Sequence, residues 1–192
     1  MTTLYTPEVR AKLEDYLSTH DLPYGLGDEE SACSIAAINL ALFGKLTDDI
    51  PVCMSEVLGR ATIALQDSMP ADMRNSDRYK AWLPTAVGTG RNYEEERLVV
   101  LLDWMWGTVL PQLQGLADEK GFGKEWRRMC EERTVEAAAR AARAAARAAE
   151  TADAAYAAVS AVQAARAAAH TNCWQKVDPI GVLERMTKIG ED

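Results

Sequence analysis

Three polar residues stand where an apolar helix has no local use for them. Asn39 lies between Ile38 and Leu40, Asp67 ends an apolar stretch, and Asp103 follows five aliphatic residues and precedes Trp104. A buried amide without partners costs about 1–3 kcal/mol, and a buried carboxylate without a cation neutralises rather than staying charged. Asn39 therefore needs partners and Asp103 a basic one, for which Arg60, Arg74, Arg91 and Arg97 are the candidates. With Glu29, Glu30, Ser31, Ser34 and the segment Asp72-Met73-Arg74-Asn75-Ser76, these groups compose either a structural hydrogen-bond network or a ligand pocket. Both arrangements predict the same sequence.

The pocket reading specifies a chemistry. Trp82, Trp104 and Trp106 are close in sequence to Arg74, Arg91 and Asp103, and an indole face beside guanidinium groups suits a planar ring that carries an anionic group. Arg74 and Arg91 would meet the anion, a tryptophan would stack on the ring, and Asn39, Asp67 or Asp103 would read ring or ribose groups. The ligand so described is a small nucleotide, ADP-ribose-like or cyclic. Trp104 and Trp106 point about 200° apart on a helix, so at most one lines a given site. Gly88-Thr89-Gly90-Arg91, just ahead of a helix start, resembles an anion-binding turn. No strand precedes it, however, and Glu94, Glu95 and Glu96 already place negative charge on that helix end.

Catalysis has less to stand on. The two histidines, His20 and His170, fall at helix ends, and Cys33 in an apolar helix reads as packing. Glu29, Glu30, Asp67 and Asp103 leave a small carboxylate-dependent hydrolase as one alternative. The other is an acidic interaction protein, an immunity-type or CRISPR-inhibiting factor that blocks a partner protein by covering its basic site. The leading expectation is a non-enzymatic binder without a cofactor.

Composition narrows the classes further. The 192 residues include 21 Lys+Arg and 29 Asp+Glu, a net charge of −8, which argues against nucleic-acid binding because affinity for phosphate backbones comes from Lys and Arg. Cys33, Cys53, Cys130 and Cys173 form no CxxC pair, so neither a zinc site nor a disulfide framework is indicated. No basic, then apolar, leader opens the chain and no long uncharged apolar run follows, so no membrane span and a cytoplasmic location are expected.

The elements that position these groups read as helices throughout, with no run alternating at period two, so the fold class is all-α, a compact helical bundle with one long alanine-rich helix. Thr6-Pro7-Glu8 starts a helix that runs to about Thr19. Asp28 is expected to cap a second, buried one that stops at Gly44, and a third runs from Met54 or Ser55 to Ser68 before Pro70. A broken helical stretch covers Ala71 to Leu83, ahead of Pro84. A long apolar helix follows Tyr93 and meets Pro111, which should kink or end it. From Lys124 to about His170 neither proline nor glycine intervenes, a rod of roughly 70 Å if continuous, which should bend, break near Thr151 or project. Asp178-Pro179 begins a last helix that reaches Ile189.

Between Ala137 and Ala169, 21 of 33 residues are alanine. Glu136, Arg140, Arg143, Arg147, Glu150, Asp153, Tyr156, Ser160, Gln163 and Arg166 trace one drifting polar stripe and leave a surface of methyl groups against which another helix can pack closely. Packing along its own domain and pairing with a second copy into a homo-oligomer are the two uses of such a face. The organisation expected is a core over residues 1–130, net −7, with the alanine-rich helix and a short terminal helix over residues 131–192, net −1, packed on it as one domain.

Gly27-Asp28-Glu29-Glu30-Ser31-Ala32-Cys33-Ser34-Ile35-Ala36-Ala37-Ile38-Asn39-Leu40-Ala41-Leu42, then Gln66-Asp67-Ser68-Met69-Pro70-Ala71-Asp72-Met73-Arg74-Asn75-Ser76, then Leu102-Asp103-Trp104-Met105-Trp106 and the alanine tract are long motifs that span most of the chain. Together they resemble a family of alanine-rich proteins of phage and bacterial genomes. The resemblance carries no catalytic or binding residue with it. It implies a context, counter-defence, in which a small protein binds a host defence protein or sequesters its signal.

Overall fold

A computed structural model describes residues 4–28, 30–149 and 173–190, and it is all-α. Among the described residues the only strand-like pairing is an isolated bridge between Gly27 and Ala32. The chain forms two units, one of Met1–Val100 with Asp178–Asp192 and one of Leu101–Val177. The division falls inside a helix rather than after residue 130, and the C-terminal helix belongs to the first unit. Sorted this way, the first unit carries 11 Lys+Arg against 20 Asp+Glu (net −9), and the second 10 against 9 (net +1).

In the first unit α1 (Pro7–Thr19) starts as the sequence predicts, with Thr6 capping it and Pro7 in its first turn. Helix α2 (Ser34–Phe43) starts later than expected. Asp28 closes a turn instead, because its Oδ1 accepts from the N–H groups of Glu30 (3.0 Å) and Ser31 (2.8 Å), and Cys33 becomes the cap. Gly44, at φ 64°, ends α2 as predicted. Helix α3 (Glu56–Ser68) is capped by Ser55, and α4 (Ala71–Arg74) leads into α5 (Asp77–Ala86). Pro84 lies inside α5 rather than beyond it, since one missing N–H near a helix end can be accommodated. The unit closes with α11 (Pro179–Thr187), capped by Asp178.

Helix α2 packs on α1 and α3, α5 packs on α1, and α11 packs on α3 and α5. Leu13, Leu17, Ile35, Ile38, Leu58, Tyr79, Leu83, Leu183 and Met186 are the buried residues these contacts share. Two charges three residues apart in the first turn of α6 (Glu94–Trp104) complete the unit. Glu94 accepts from the Glu56 N–H (2.9 Å), the Val57 N–H (3.0 Å) and the Ser55 hydroxyl (2.8 Å), so an acid closes the positive end of α3. Arg97, only 1% exposed, donates from Nε to Met186 O (3.1 Å), from Nη1 to Asn92 O, and from Nη2 to Thr89 O (3.3 Å) and Ile189 O (3.2 Å). A cation thus closes the negative end of α11.

In the second unit α6 passes into a π-helical turn (Met105–Val109) and a 3-10 turn (Leu110–Leu113), the distortion that Pro111 predicts. Short α7 (Gln114–Glu119) precedes α8 (Gly123–Glu132). The expected rod from Lys124 is interrupted at its ninth residue beyond that point: Arg133 adopts φ 53°, and Thr134 Oγ1 accepts from the Ala137 N–H (3.1 Å) to start α9 (Val135–Ala149) afresh. The chain needs neither glycine nor proline for this, because a left-handed residue followed by a threonine cap suffices. Ala137 and Ala141 pack with Met129 among Trp106, Leu110, Trp126, Cys130 and Ala138. Ala137, Ala138 and Ala141 at the start of the alanine-rich helix therefore pack within their own unit. Arg147 belongs to α9, while Glu150, Thr151, Asp153, Tyr156, Ser160, Gln163, Arg166 and His170 lie outside the described residues. Helix α10 (Cys173–Val177) ends the unit. No helix among the described residues is long and apolar enough to cross a membrane.

Burial pushes the Glu94 carboxyl up, but the hydrogen bonds from Val57, Ser55 and Glu56, with the charge of Arg97, outweigh it and hold the group below the ordinary carboxylate range. A depressed folded pKa contributes stability that is present above the unfolded value, about 4.3, and lost as pH falls through the folded one. Urea unfolding from pH 7 to 3 should show this loss in the wild type. Glu94→Gln should be about 1–2 kcal/mol less stable at pH 7 and should lose less on acidification.

Candidate functional site

The residues predicted to form a pocket do gather in part, around the backbone of the segment from His20 to Cys33. From α3, Gln66 accepts from the Ser34 N–H (2.6 Å) and donates to Pro23 O (3.0 Å), and Asp67 Oδ1 accepts from the Gly25 N–H (3.1 Å). From the end of α4, Arg74 Nε donates to Leu22 O (2.9 Å) and Nη1 to Met69 O (3.0 Å). Asn75 Oδ1 accepts from the Leu22 N–H (2.7 Å), and its Nδ2 donates to Leu22 O (3.3 Å) and Ala71 O (3.0 Å). From α5, Lys80 Nζ reaches His20 O (2.9 Å), and from α1, Tyr16 OH accepts from the Ala32 N–H (2.8 Å). Within the loop, Ser31 Oγ donates to Asp21 O (3.0 Å).

The loop pairs the Asp28 N–H with Ser31 O (3.0 Å) and the Cys33 N–H with Leu26 O (2.9 Å), and side chains from the helices meet further backbone groups. Four helices contribute, and the loop's path follows from theirs. Gly27 is required where it sits: φ is 75°, and a Cβ would strike the Ser31 carbonyl. The outer side of the loop carries Tyr24, 72% exposed, and Leu26, 40% exposed, beside the exposed acids Asp21, Asp28 and Glu30. Glu29, the other acid read as a candidate, lies outside the described residues.

Buried behind the loop, Ser34 Oγ and Tyr79 OH lie 2.9 Å apart. Desolvation, the largest effect on Tyr79, drives its pKa upward, so the phenol remains a neutral hydrogen-bonding group. Cys33 is raised by burial as well, away from thiolate character.

The remaining candidates stand apart from this cluster. Asn39, 1% exposed, donates to Thr47 O (2.7 Å) and Asp49 O (2.8 Å), so the amide finds its partners in the loop after α2. Arg91 pairs with Glu56 and reaches Ile50 O (3.3 Å). In the Gly88-Thr89-Gly90 turn both glycine N–H groups go to Cys53 O (2.9 and 3.0 Å), and Thr89 Oγ1 donates to Ala86 O (2.8 Å) and accepts from the Ser55 N–H (3.0 Å), so these donors are engaged within the fold. Trp82 donates to Thr187 Oγ1 (2.9 Å) in the first unit. In the second unit, Trp104 donates to Val177 O, and Trp106 packs on the Met129 cluster.

Asp103 corrects the sequence reading. Its side chain is 67% exposed and its cationic neighbour is Arg133, 3.6 Å away, a residue outside the four candidates. Five preceding aliphatics implied burial, but Leu98, Val99 and Leu102 are themselves 43–57% exposed, so apolar neighbours along α6 do not make a buried face. Sequence reasoning passed over Tyr16, Gln66, Lys80 and Glu94. Gln66 had a legible signal, since it continues the buried stripe Leu58-Thr62 at helical spacing. The others act through contacts far along the chain that no spacing encodes.

Among the described residues no group of three His, Cys, Asp or Glu is placed to hold a metal ion. The arrangement around residues 20–33 does structural chemistry: it fixes a loop and leaves an aromatic, an aliphatic and several carboxylates on its outside.

Asn75→Ala removes both contacts to Leu22 and should destabilise by about 1–3 kcal/mol, with faster amide exchange at Leu22 and Gly25. Asp103→Ala, at an exposed and loosely paired site, should stay within about 0.5 kcal/mol of wild type in the same urea titration. Comparison with protein-family models, with curated proteins and with solved structures returns no match.

Proposed function

We propose that the protein is a non-enzymatic binding protein that acts by covering a basic surface of a partner protein, with the fixed loop of residues 20–33 at the centre of the contact. The observation that carries this reading is the engagement of Gln66, Asp67, Arg74 and Asn75 with the loop backbone while Tyr24 and Leu26 face outward. A loop held in this way loses little conformational entropy on binding. Aromatic side chains are enriched among binding hot spots, and the flanking carboxylates suit a cationic rim. The net charge of −9 on this unit favours encounter with a basic partner. In the phage and bacterial setting that the resemblance implies, the partner would be a host defence protein and binding would block it.

Sequestration of a nucleotide by Asn39, Asp67, Arg74, Asn75, Arg91 and Asp103 has less support, because these side chains are engaged with backbone, paired on the surface or exposed.

Tagged wild type and a Tyr24→Ser/Leu26→Ser variant expressed in host cells would be compared by affinity capture, with thermal melting as the control for folding. The expected result is a discrete partner held by the wild type, released by raised salt, and at least tenfold depleted with the variant. Equal capture by the variant, or a complex indifferent to salt, would overturn the reading.

A further inference from the structure

Helix α6 carries its amphipathic pattern inside out. Glu94 and Arg97 point into the first unit, where they close the ends of α3 and α11. These two ties fix the rotation of the helix, and at about 100° per residue that rotation carries Leu98, Val99 and Leu102 outward. All three are exposed. With Glu95 they fall at i, i+3, i+4 and i+7 of one unbroken helix, which places them on a single stripe. Helix formation does not ask for aliphatics here, since lysine or glutamate forms helix about as well as leucine and better than valine. Single exposed aliphatics are ordinary on a protein surface, but three adjoining ones on one face are the mark of an interaction site.

The charge beside the stripe defines the occupant. Glu95 and Glu96 are exposed and form no ion pair with a described residue, so free carboxylates flank one end of the aliphatic face. A second copy of α6 fits this face badly. Antiparallel pairing centred on Leu98 and Val99 sets Glu95 of each copy against Leu102 of the other, and parallel pairing sets glutamates against glutamates. A bilayer surface fits badly as well, because helices that lie on anionic membranes carry lysine and arginine beside their apolar face. A helix that offers aliphatics to Leu98, Val99 and Leu102 and a lysine or arginine to Glu95 and Glu96 meets both requirements, with the charges at the rim where they select the partner. From Glu95 to Leu102 the stripe spans about 10 Å, two turns of such a helix.

We infer that the outer face of α6 docks a basic amphipathic helix of another protein, with Leu98, Val99 and Leu102 as the apolar seam and Glu95 and Glu96 as the charged rim. This surface is separate from the loop of residues 20–33. Glu94, at the head of α6, caps the start of α3, whereas Gln66 and Asp67 hold the loop from the other end of α3, about 16 Å along the same helix. The inference therefore does not rest on the reading of that loop. In the sequence the aliphatic run before Asp103 implied a buried face; the inward pull of Glu94 and Arg97 turns part of that run to the surface.

The test titrates the full chain with a labelled 14-residue peptide that has leucine at every third or fourth position and lysine elsewhere, read by fluorescence anisotropy and by amide chemical shifts. Its counterparts replace leucine by alanine or lysine by glutamate, which probes the apolar and the charged contact without altering the protein. The leucine–lysine peptide is expected to bind saturably, with shifts concentrated on residues 95–103, and both counterparts at least tenfold more weakly. Val99→Glu/Leu102→Glu, at exposed positions and with an unchanged melting temperature, should cost at least tenfold. Glu95→Lys should cost about threefold, while Asp15→Lys, the same charge change at an exposed site on α1, should leave the affinity within about twofold. Equal binding of the alanine peptide, shifts that avoid α6, or equal losses in Glu95→Lys and Asp15→Lys would each overturn the inference. So would a sedimenting dimer that Val99→Glu/Leu102→Glu converts to monomer, which makes a second copy the occupant, or binding to phosphatidylglycerol vesicles that the same variant abolishes, which makes it a membrane.

Discussion

The first unit is discontinuous in the chain, and the buried guanidinium of Arg97 is the interaction that closes it. Residues 178–192 return to the unit after the whole of the second has been built, so α11 cannot rely on a short connection to hold it in place. Arg97 takes Met186 O and Ile189 O from that returning segment and Asn92 O and Thr89 O from the turn before α6. Transfer of a charge from water into a protein interior costs several kcal/mol unless its hydrogen-bonding groups are met, and a planar guanidinium meets four carbonyls that a lysine ammonium, with three donors at one point, could not. Two further ties secure the same return: Arg78 forks between Asp178 and Glu184, and the Trp82 indole donates to Thr187.

The same constraint, backbone groups that lack a secondary-structure partner, explains why this all-α unit contains so many polar side chains inside it. Its helices are separated by long irregular segments over residues 20–28 with 30–33, over 44–55 and over 87–93, and the described residues form no sheet to absorb their N–H and C=O groups. Each segment is served by side chains from the helices it connects. Gln66, Asp67, Arg74, Asn75 and Lys80 serve the first, Asn39 the second, and Arg97 the third together with the Cys53 carbonyl. An excess of internal polar groups over what core specificity requires was the sequence feature that indicated a pocket. In this fold the excess has a structural use, and the number of polar groups is a measure of the length of irregular backbone.

Legibility of the sequence followed the range of the interactions involved. Helix class, the start of α1, the end of α2 at Gly44, the start of α3 close to Ser55 and the distortion ahead of Pro111 all depend on neighbours within one or two turns, and all were readable. Where a local signal had two outcomes, the reading chose one and the fold took the other. Asp28 followed by two glutamates is a helix cap or a turn that closes on itself, and Cys33 with Ile35 packing into the core decides for the later start. Arg133 carries no sign of its left-handed backbone, because that conformation is imposed by the packing of α9 against α8. The gathering of polar groups was anticipated, but their targets were not. A side chain that bonds backbone 52 residues away, as Arg74 does to Leu22, leaves no periodic trace.

The two units handle shape in opposite ways, and that bears on where binding surfaces can arise. In the second unit Ala137 and Ala141 present methyl groups to Trp106 and Trp126, large rings against the smallest side chains, so close packing is reached by complementarity of size. Ala137 and Ala141 are committed to that packing, and with ten basic against nine acidic residues the unit is nearly neutral. The first unit packs ordinary aliphatics and leaves its irregular segments on the surface, held by internal polar contacts, with nearly all of the chain's charge imbalance around them. Loops fixed in this manner combine a defined shape with exposed functional groups, which helix faces committed to a core cannot do. The irregular backbone of the first unit thus displays side chains such as Tyr24 and Leu26 on a loop that the neighbouring helices hold in place.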